Sequence, residues 1–193
     1  MMKSFILASN SPRRKELLHN CGYSFEVKPS DCDENTDGSL TPQETVKELA
    51  RRKAMAVLAE NADSVVLGCD TVVALEGEIL GKPQDREDAY RMLTALSGKK
   101  HIVVSGVCVA DKNRCECFEN TTEVEFNSLS EETVNSYLDT LEYTDKAGGY
   151  GIQGFGSVLV KGIRGDYFSV MGLPVSQCAA LLSSFGIYGK VRI

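Results

Sequence analysis

Phe5-Ile6-Leu7-Ala8-Ser9-Asn10-Ser11-Pro12-Arg13-Arg14-Lys15-Glu16-Leu17-Leu18 decides the reading of the fold. Its first four residues form a short apolar run with the character of a strand. Ser11 has the chemistry of a helix N-cap, and Pro12 suits the first helical position, where its missing N–H costs nothing. A strand that turns directly into a helix leaves several backbone N–H groups aimed at one spot. The helix dipole makes that spot favour anions. Arg13 and Arg14 fall in the first turn, where their charge opposes the dipole. Either a bound anion such as a phosphate chain offsets them, or they are solvated residues beside a well-capped helix. This segment alone supports both readings.

Beyond it, Ser24-Phe25-Glu26-Val27 reads as a second strand, followed by an acidic, turn-rich stretch with Asp31, Asp33, Glu34 and Asp37. Thr41-Pro42-Gln43-Glu44 is a capping box with proline at the first helical position. The helix it opens carries Val46, Leu49, Ala50, Ala54 and Val57 at helical spacing, and Lys53 lies on the same stripe. A lysine there either snorkels past the edge of a core or reaches into a site. Residues 64–75 are strand-like and long enough for the centre of a sheet; Glu76-Gly77-Glu78 turns them back into Ile79-Leu80. Asp85 to Leu96 reads as a helix. His101 to Ala110 and Cys115 to Phe126 flank a turn at Asp111-Lys112-Asn113 and predict a long hairpin. A helix from Leu129 to about Leu141, a glycine-dense loop from Asp145 to Gly156, a strand over 157–163 and a helix from Pro174 to Ser184 follow. This alternation predicts an α/β chain with a mixed sheet rather than a purely parallel one.

With 193 residues, 42% hydrophobic and 25% charged, the chain can bury a real core, and a single domain over 1–193 is expected. A net charge of -6 argues against a general nucleic-acid or anionic-membrane binder. Yet Arg13, Arg14, Lys53, Lys82 and Lys146 sit in motif-like stretches, which suits a small polyanion. No apolar run approaches the ~20 residues of a membrane span. Met1 to Ser9 faintly resembles a signal peptide, but its apolar part is too short, so a cytoplasmic location is expected. The 7 cysteines are odd in number and scattered, as free thiols in a reducing compartment would be. Cys115-Glu116-Cys117 has no second close pair and no nearby histidine, so the sequence speaks against a soft-metal site. Any metal should be a hard cation held by carboxylates.

Asp70 interrupts an otherwise apolar strand, where a carboxylate is costly unless paired, hydrogen-bonded or bound to metal. A buried ion pair, a metal ligand and a general base are all consistent with it. In a regular strand Asp70 and Thr71 point to opposite faces, so for both to serve one site the strand should end or twist there. Asp33 and Glu34 could supply further oxygen ligands or simply be solvated. Gly81-Lys82-Pro83 fails as a phosphate-binding P-loop: the spacing back to Gly77 is one residue short and Pro83 replaces the required Ser or Thr. Lys82 still qualifies as a point charge for a phosphate. The formal G-x-G-x-x-G at Gly149, Gly151 and Gly154 precedes a strand instead of following one, so the dinucleotide-binding context is inverted. Those glycines fit a tight turn or close approach to a ligand. Gln153, with a donor and an acceptor, can read a base edge.

The segment from Leu7 to Leu18 resembles the opening motif of the Maf family of nucleoside triphosphate pyrophosphatases. Gly68-Cys69-Asp70-Thr71-Val72-Val73, Gly81-Lys82-Pro83, Leu96-Ser97-Gly98 and Gly172-Leu173-Pro174 are similar to further family motifs, in the same order. Asp145 to Gly154 resembles the loop of the branch that hydrolyses dTTP and UTP. Cys69 and Asn10 depart from the small residues usual at those positions. The resemblance implies a mixed, twisted sheet flanked by helices with a cleft between two lobes, as in inosine triphosphate pyrophosphatases. It implies Asp70 as proton acceptor, with Arg13, Thr71 and Gln153 shaping substrate choice. Ser9, Arg14, Glu34, Lys53 and Lys82 would line the triphosphate and metal pocket, with Glu34 and Asp70 as ligands of a divalent cation, Mg²⁺ or else Mn²⁺. The implied partner is a nucleoside triphosphate; a homodimer is compatible with this, and no stable nucleic-acid or membrane partner is expected. Two rivals stand beside this reading. One is the same chemistry on another base, such as 7-methylguanosine triphosphate, against which the Gln153 loop speaks. The other is a non-catalytic regulator of cell division, which would have no need of a carboxylate beside a phosphate pocket.

Overall fold

The computed structural model describes residues 4–36 and 38–192. Met1, Met2 and Lys3 of the signal-like segment, Asp37 of the acidic stretch, and Ile193 lie outside the described residues.

Strand β1 (Ser4–Leu7) enters helix α1 (Pro12–Asn20) through the Ser11 cap, whose hydroxyl accepts from the Arg14 N–H. β2 (Glu26–Val27) pairs in parallel with Ile6 and Leu7 alone, which makes it shorter than the run 24–27 predicts. Helix α2 (Pro42–Glu60) starts at the full Thr41–Glu44 capping box. Its apolar stripe lies on the sheet, where each buried Val or Leu contributes ~1.5–3 kcal/mol. β3 (Ser64–Leu75) is the central strand, and β4 (Glu78–Leu80) folds back on its end. After α3 (Arg86–Leu96) come β5 (Lys100–Asp111) and β6 (Arg114–Phe126), a hairpin in continuous register from Lys100–Glu125 to Asp111–Arg114. Helix α4 (Glu131–Leu138), β7 (Val160–Arg164), α5 (Tyr167–Met171) and α6 (Val175–Ser184) complete the chain.

The seven-stranded sheet has the order β2-β1-β3-β5-β6-β7, with β4 beside β3 off that path. β1 runs parallel to β2 and β3, while the other pairings are antiparallel, so the sheet is mixed. Two groups of core residues divide it. One joins β1 and residues 65–69 of β3 to α1 and α6, with α2 covering the opposite face. The other gathers Val73, Leu80, Val103 and Phe126 with α3 and α4. The cleft lies between them.

Two of the predicted bounds are corrected, and one helix is new. The strand predicted over 157–163 begins only at Val160, because residues Gly154–Val158 form a 3-10 helix. The Glu142 carboxylate holds them there, accepting from the Phe155 and Gly156 N–H groups at 2.9 and 3.2 Å. The helix predicted to reach Leu141 ends at Leu138, since Leu141 takes a left-handed φ of 60°. The short α5, capped by Asp166, has too few residues to show a period in the sequence.

Candidate active site

A gap in the sheet makes the site. β1 accompanies β3 as far as the Leu7–Leu67 pair, and its last bond is from Ala8 N–H to Leu67 O at 2.8 Å. β4 takes up the same edge only at Val73. Between these points residues 68–72 have no strand on that edge, while β5 pairs the other edge without a break. A cavity of about 850 Å³ opens over the gap. Asp70 and Thr71 both line it from opposite faces of β3. Of the two expectations, that β3 ends or twists there, the ending is corrected: its neighbour ends instead, and the exposed edge lets both faces reach one space.

Asp70 faces α2. Its Oδ1 lies 2.7 Å from Lys53 Nζ, which also lies 3.0 Å from Glu34 Oε1. Both Lys53 and Asp70 are buried. Burial pushes Lys53 down, but the two carboxylates outweigh it and hold its ammonium above the usual lysine value. Thus the lysine on the apolar stripe reaches into the site instead of snorkelling past the core.

Arg14 crosses the gap on the Thr71 side. Its guanidinium donates to Gly172 O and Cys69 O at 2.9 Å, and to Ser9 Oγ and Thr71 Oγ1 at 3.1 Å. It thereby satisfies a β3 carbonyl that has no partner strand. Thr71 and Ser105 hydroxyls lie 2.8 Å apart, and Ser105 donates to Ser169 O at 2.7 Å. Since each hydroxyl has one proton, a directed relay runs from Arg14 through Thr71 and Ser105 to Ser169. All four acceptors of Arg14 are neutral, so its charge is offset by no carboxylate among the described residues. Lys82, exposed at the rim, likewise makes no ion pair there.

Arg13 instead pairs with Asp145 at 3.2 Å, which also meets Lys146 Nζ at 2.7 Å. Burial pushes Asp145 up, but Lys146 and Arg13 outweigh it and hold its carboxyl below the usual range. Gln153 lines the far wall, with its amide free of hydrogen bonds among the described residues. The backbone around it is pinned by Glu142 and by a 3.3 Å bond from Gly151 N–H to Tyr137 Oη. Burial and the neighbouring Glu142 push the Tyr137 phenol up.

All nine residues singled out from the sequence, Ser9, Arg13, Arg14, Glu34, Lys53, Asp70, Thr71, Lys82 and Gln153, line this one cavity. Sequence reading missed Ser105 and Glu142. Ser105 had a signal, since it interrupts an apolar strand as Asp70 does. Glu142 had none, because its loop contacts are tertiary.

The acidic donors are hard oxygens only. Glu34, from the loop before α2, and Asp70, from β3, both reach the ammonium of Lys53. That donor set fits a divalent cation such as Mg²⁺, which takes one or two protein carboxylates and completes its shell with phosphate and water.

The chain is similar to several Bacillus proteins named dTTP/UTP pyrophosphatase. The protein of Bacillus velezensis strain FZB42 is 50% identical over 187 residues, covering 97% of this chain and 99% of that one. The Bacillus pumilus strain SAFR-032 protein is 47% identical over 186 residues, covering 96% and 98%. Among solved structures, the Ham1 protein of Staphylococcus aureus aligns with a TM-score of 0.47 and 19% identity over 82% of this chain and 80% of that one. Residues 4–185 match the Maf-like protein family, and with relatives this close over nearly its whole length the chain belongs to that family.

Proposed function

We propose that this protein is a nucleoside triphosphate pyrophosphatase that hydrolyses dTTP and UTP to the nucleoside monophosphate and pyrophosphate. The observation that carries it is the Lys53–Asp70 pair on the open edge of β3, facing a cavity whose Arg14 and Lys82 charges are offset by no carboxylate among the described residues. Unpaired cations around a carboxylate suit a substrate that brings several negative charges and needs a base. The names of the relatives support the substrate class.

The triphosphate lies along Arg14, Lys82 and the free N–H groups at the start of α1. Asp70 orients a water and takes its proton as the water oxygen attacks the α-phosphorus in line. The bond from that phosphorus to the bridging oxygen breaks, pyrophosphate leaves with its electron pair, and Lys53 and Lys82 stabilise the charge it gains. Glu34 and Asp70 would hold a Mg²⁺ ion, which supplies Lewis-acid neutralisation of the phosphate oxygens when bound. Gln153 presents its amide to the O4 and N3–H edge shared by thymine and uracil. Arg13 and Thr71 set the shape of the pocket around the sugar and phosphates. A cytoplasmic setting, with 7 free cysteines suited to a reducing compartment, belongs to the same reading.

The test is pyrophosphate release from dTTP, UTP, CTP, GTP, ITP and 7-methyl-GTP, with Mg²⁺ and then Mn²⁺, in the wild type and in Asp70→Asn. Fast release from dTTP and UTP that Asp70→Asn abolishes is expected. Silence of the folded protein on every nucleotide would overturn the reading. For the base, Gln153→Ala should lower the dTTP-to-GTP ratio of kcat/KM by about tenfold, worth ~1.4 kcal/mol; an unchanged ratio would remove Gln153 from that role.

A further inference from the structure

Cys115 and Cys117 alternate on one face of β6, and the hairpin register sets Cys108 directly opposite Cys117. The third thiol that the sequence spacing lacks is therefore supplied by the facing strand. Cys108 Sγ and Cys115 Sγ are 3.2 Å apart, and the three sulfurs lie within 4.8 Å of one another. Cys108 is buried against α2, while Cys115 and Cys117 are exposed. None of the three lines the nucleotide cavity. Cys117 instead borders a shallow surface depression with Glu48 and Arg51 of α2.

We propose that Cys108, Cys115 and Cys117 form a three-thiolate site for a soft divalent cation of the zinc class, with the fourth coordination position open to solvent. A tetrahedral zinc with Zn–S bonds of ~2.3 Å holds its sulfurs roughly 3.8 Å apart. The 3.2 Å Cys108–Cys115 separation and the 4.8 Å limit on all three lie close to that value, so small side-chain rotations close the site. The β5–β6 ladder runs in continuous register past all three positions, which fixes their backbone before any ion arrives. On its other edge β6 meets β7 only over Glu123–Phe126, so the Cys115–Cys117 segment stays open on that side.

The charge balance is also favourable. The thiol protons leave as the ion binds. The Arg51 guanidinium, close enough to feel both Cys115 and Cys117, offsets part of the negative charge of the loaded site.

The probe is Cd²⁺ alone, titrated into the reduced full-length protein, with the ultraviolet thiolate-to-metal charge-transfer band and native mass spectrometry as readouts. One Cd²⁺ per chain, displaced by Zn²⁺, is expected. Cys115→Ser and Cys117→Ser change exposed residues and leave the fold intact; each should weaken that step by about tenfold or more. Cys21→Ser and Cys32→Ser should not move it. Absence of a one-equivalent step in the wild type, or a step unchanged in Cys115→Ser and Cys117→Ser, would overturn the proposal. Neither readout depends on nucleotide hydrolysis.

Discussion

Lys53 Nζ sits 2.7 Å from Asp70 Oδ1, so a single ammonium group ties helix α2 to the open edge of β3. The pair makes stability and chemistry separable. Lys53→Met should leave Asp70 without its counter-ion and cost about 2 kcal/mol, less than the ~3–5 of a fully enclosed pair because the cavity is open. Adding Asp70→Asn should restore most of that stability. Activity should behave oppositely: Asp70→Asn alone should lose ~10²–10⁴-fold in kcat, as removal of a general base does, and the double variant should stay inactive. Urea unfolding beside steady-state kinetics checks both; a double variant no more stable than Lys53→Met would show that the pair is not coupled.

Arg14 acts as a planar brace, whereas Lys82 is a point charge at the rim. Arg14→Lys keeps the charge but cannot reach Gly172 O, Cys69 O, Ser9 Oγ and Thr71 Oγ1 together. It should lower kcat/KM by about 10–100-fold and stability by ~1–2 kcal/mol. Lys82→Arg should stay within about threefold of the wild type. Equal effects of the two substitutions would show that only charge matters at Arg14.

The parts of this molecule that the sequence reveals are local. The capping box at Thr41–Glu44 and the length of the apolar run 64–75 predict α2 and β3 with nearly their observed bounds. Asp70 stands out because burial makes a lone carboxylate expensive. What stays hidden depends on partners distant in the chain. The gap beside β3 follows from where β1 and β4 stop, which no period in β3 encodes. Glu142 diverts residues 154–158 from a strand by capping their N–H groups from another loop. Cys108 lay between these cases: once the hairpin turn is placed at Lys112-Asn113, antiparallel register alone sets it opposite Cys117.

The seating of α2 depends on two glycines. A Cβ on Gly106 would strike Val46 O, and one on Gly68 would strike Ala50 O and come within 2.7 Å of Ala54 N. Helix backbone cannot yield as a flexible side chain can, so Gly106→Ala and Gly68→Ala should each push α2 outward. The expected cost is ~1–3 kcal/mol, as for overpacking elsewhere. Because Lys53 rides on α2, kcat should fall as well. Gly162→Ala, where a Cβ meets open space, is the matched control. Urea midpoints and kcat for the three variants decide the matter, and retention of full stability in Gly106→Ala would contradict the close packing.

His101 should govern part of the acid sensitivity. It is buried, its Nε2 shares a 2.7 Å hydrogen bond with Tyr150 Oη, and its Nδ1 has no partner among the described residues. Burial pulls its value down from 6.5 to about 4. Between these values the unfolded chain binds a proton that the folded chain refuses, so unfolding free energy rises with pH across the window. The contribution is complete above 6.5 and is lost as pH falls through about 4; its limit is about 3 kcal/mol. His101→Phe removes the titration but leaves the Tyr150 hydroxyl unpaired. It should therefore be less stable than the wild type at pH 7.5, and the difference should close or reverse by pH 4. Tyr150 lines the cavity beside the Gln153 loop, so affinity for dTTP should weaken over the same window in the wild type. Parallel pH slopes of stability for the two proteins would show that His101 carries no part of it.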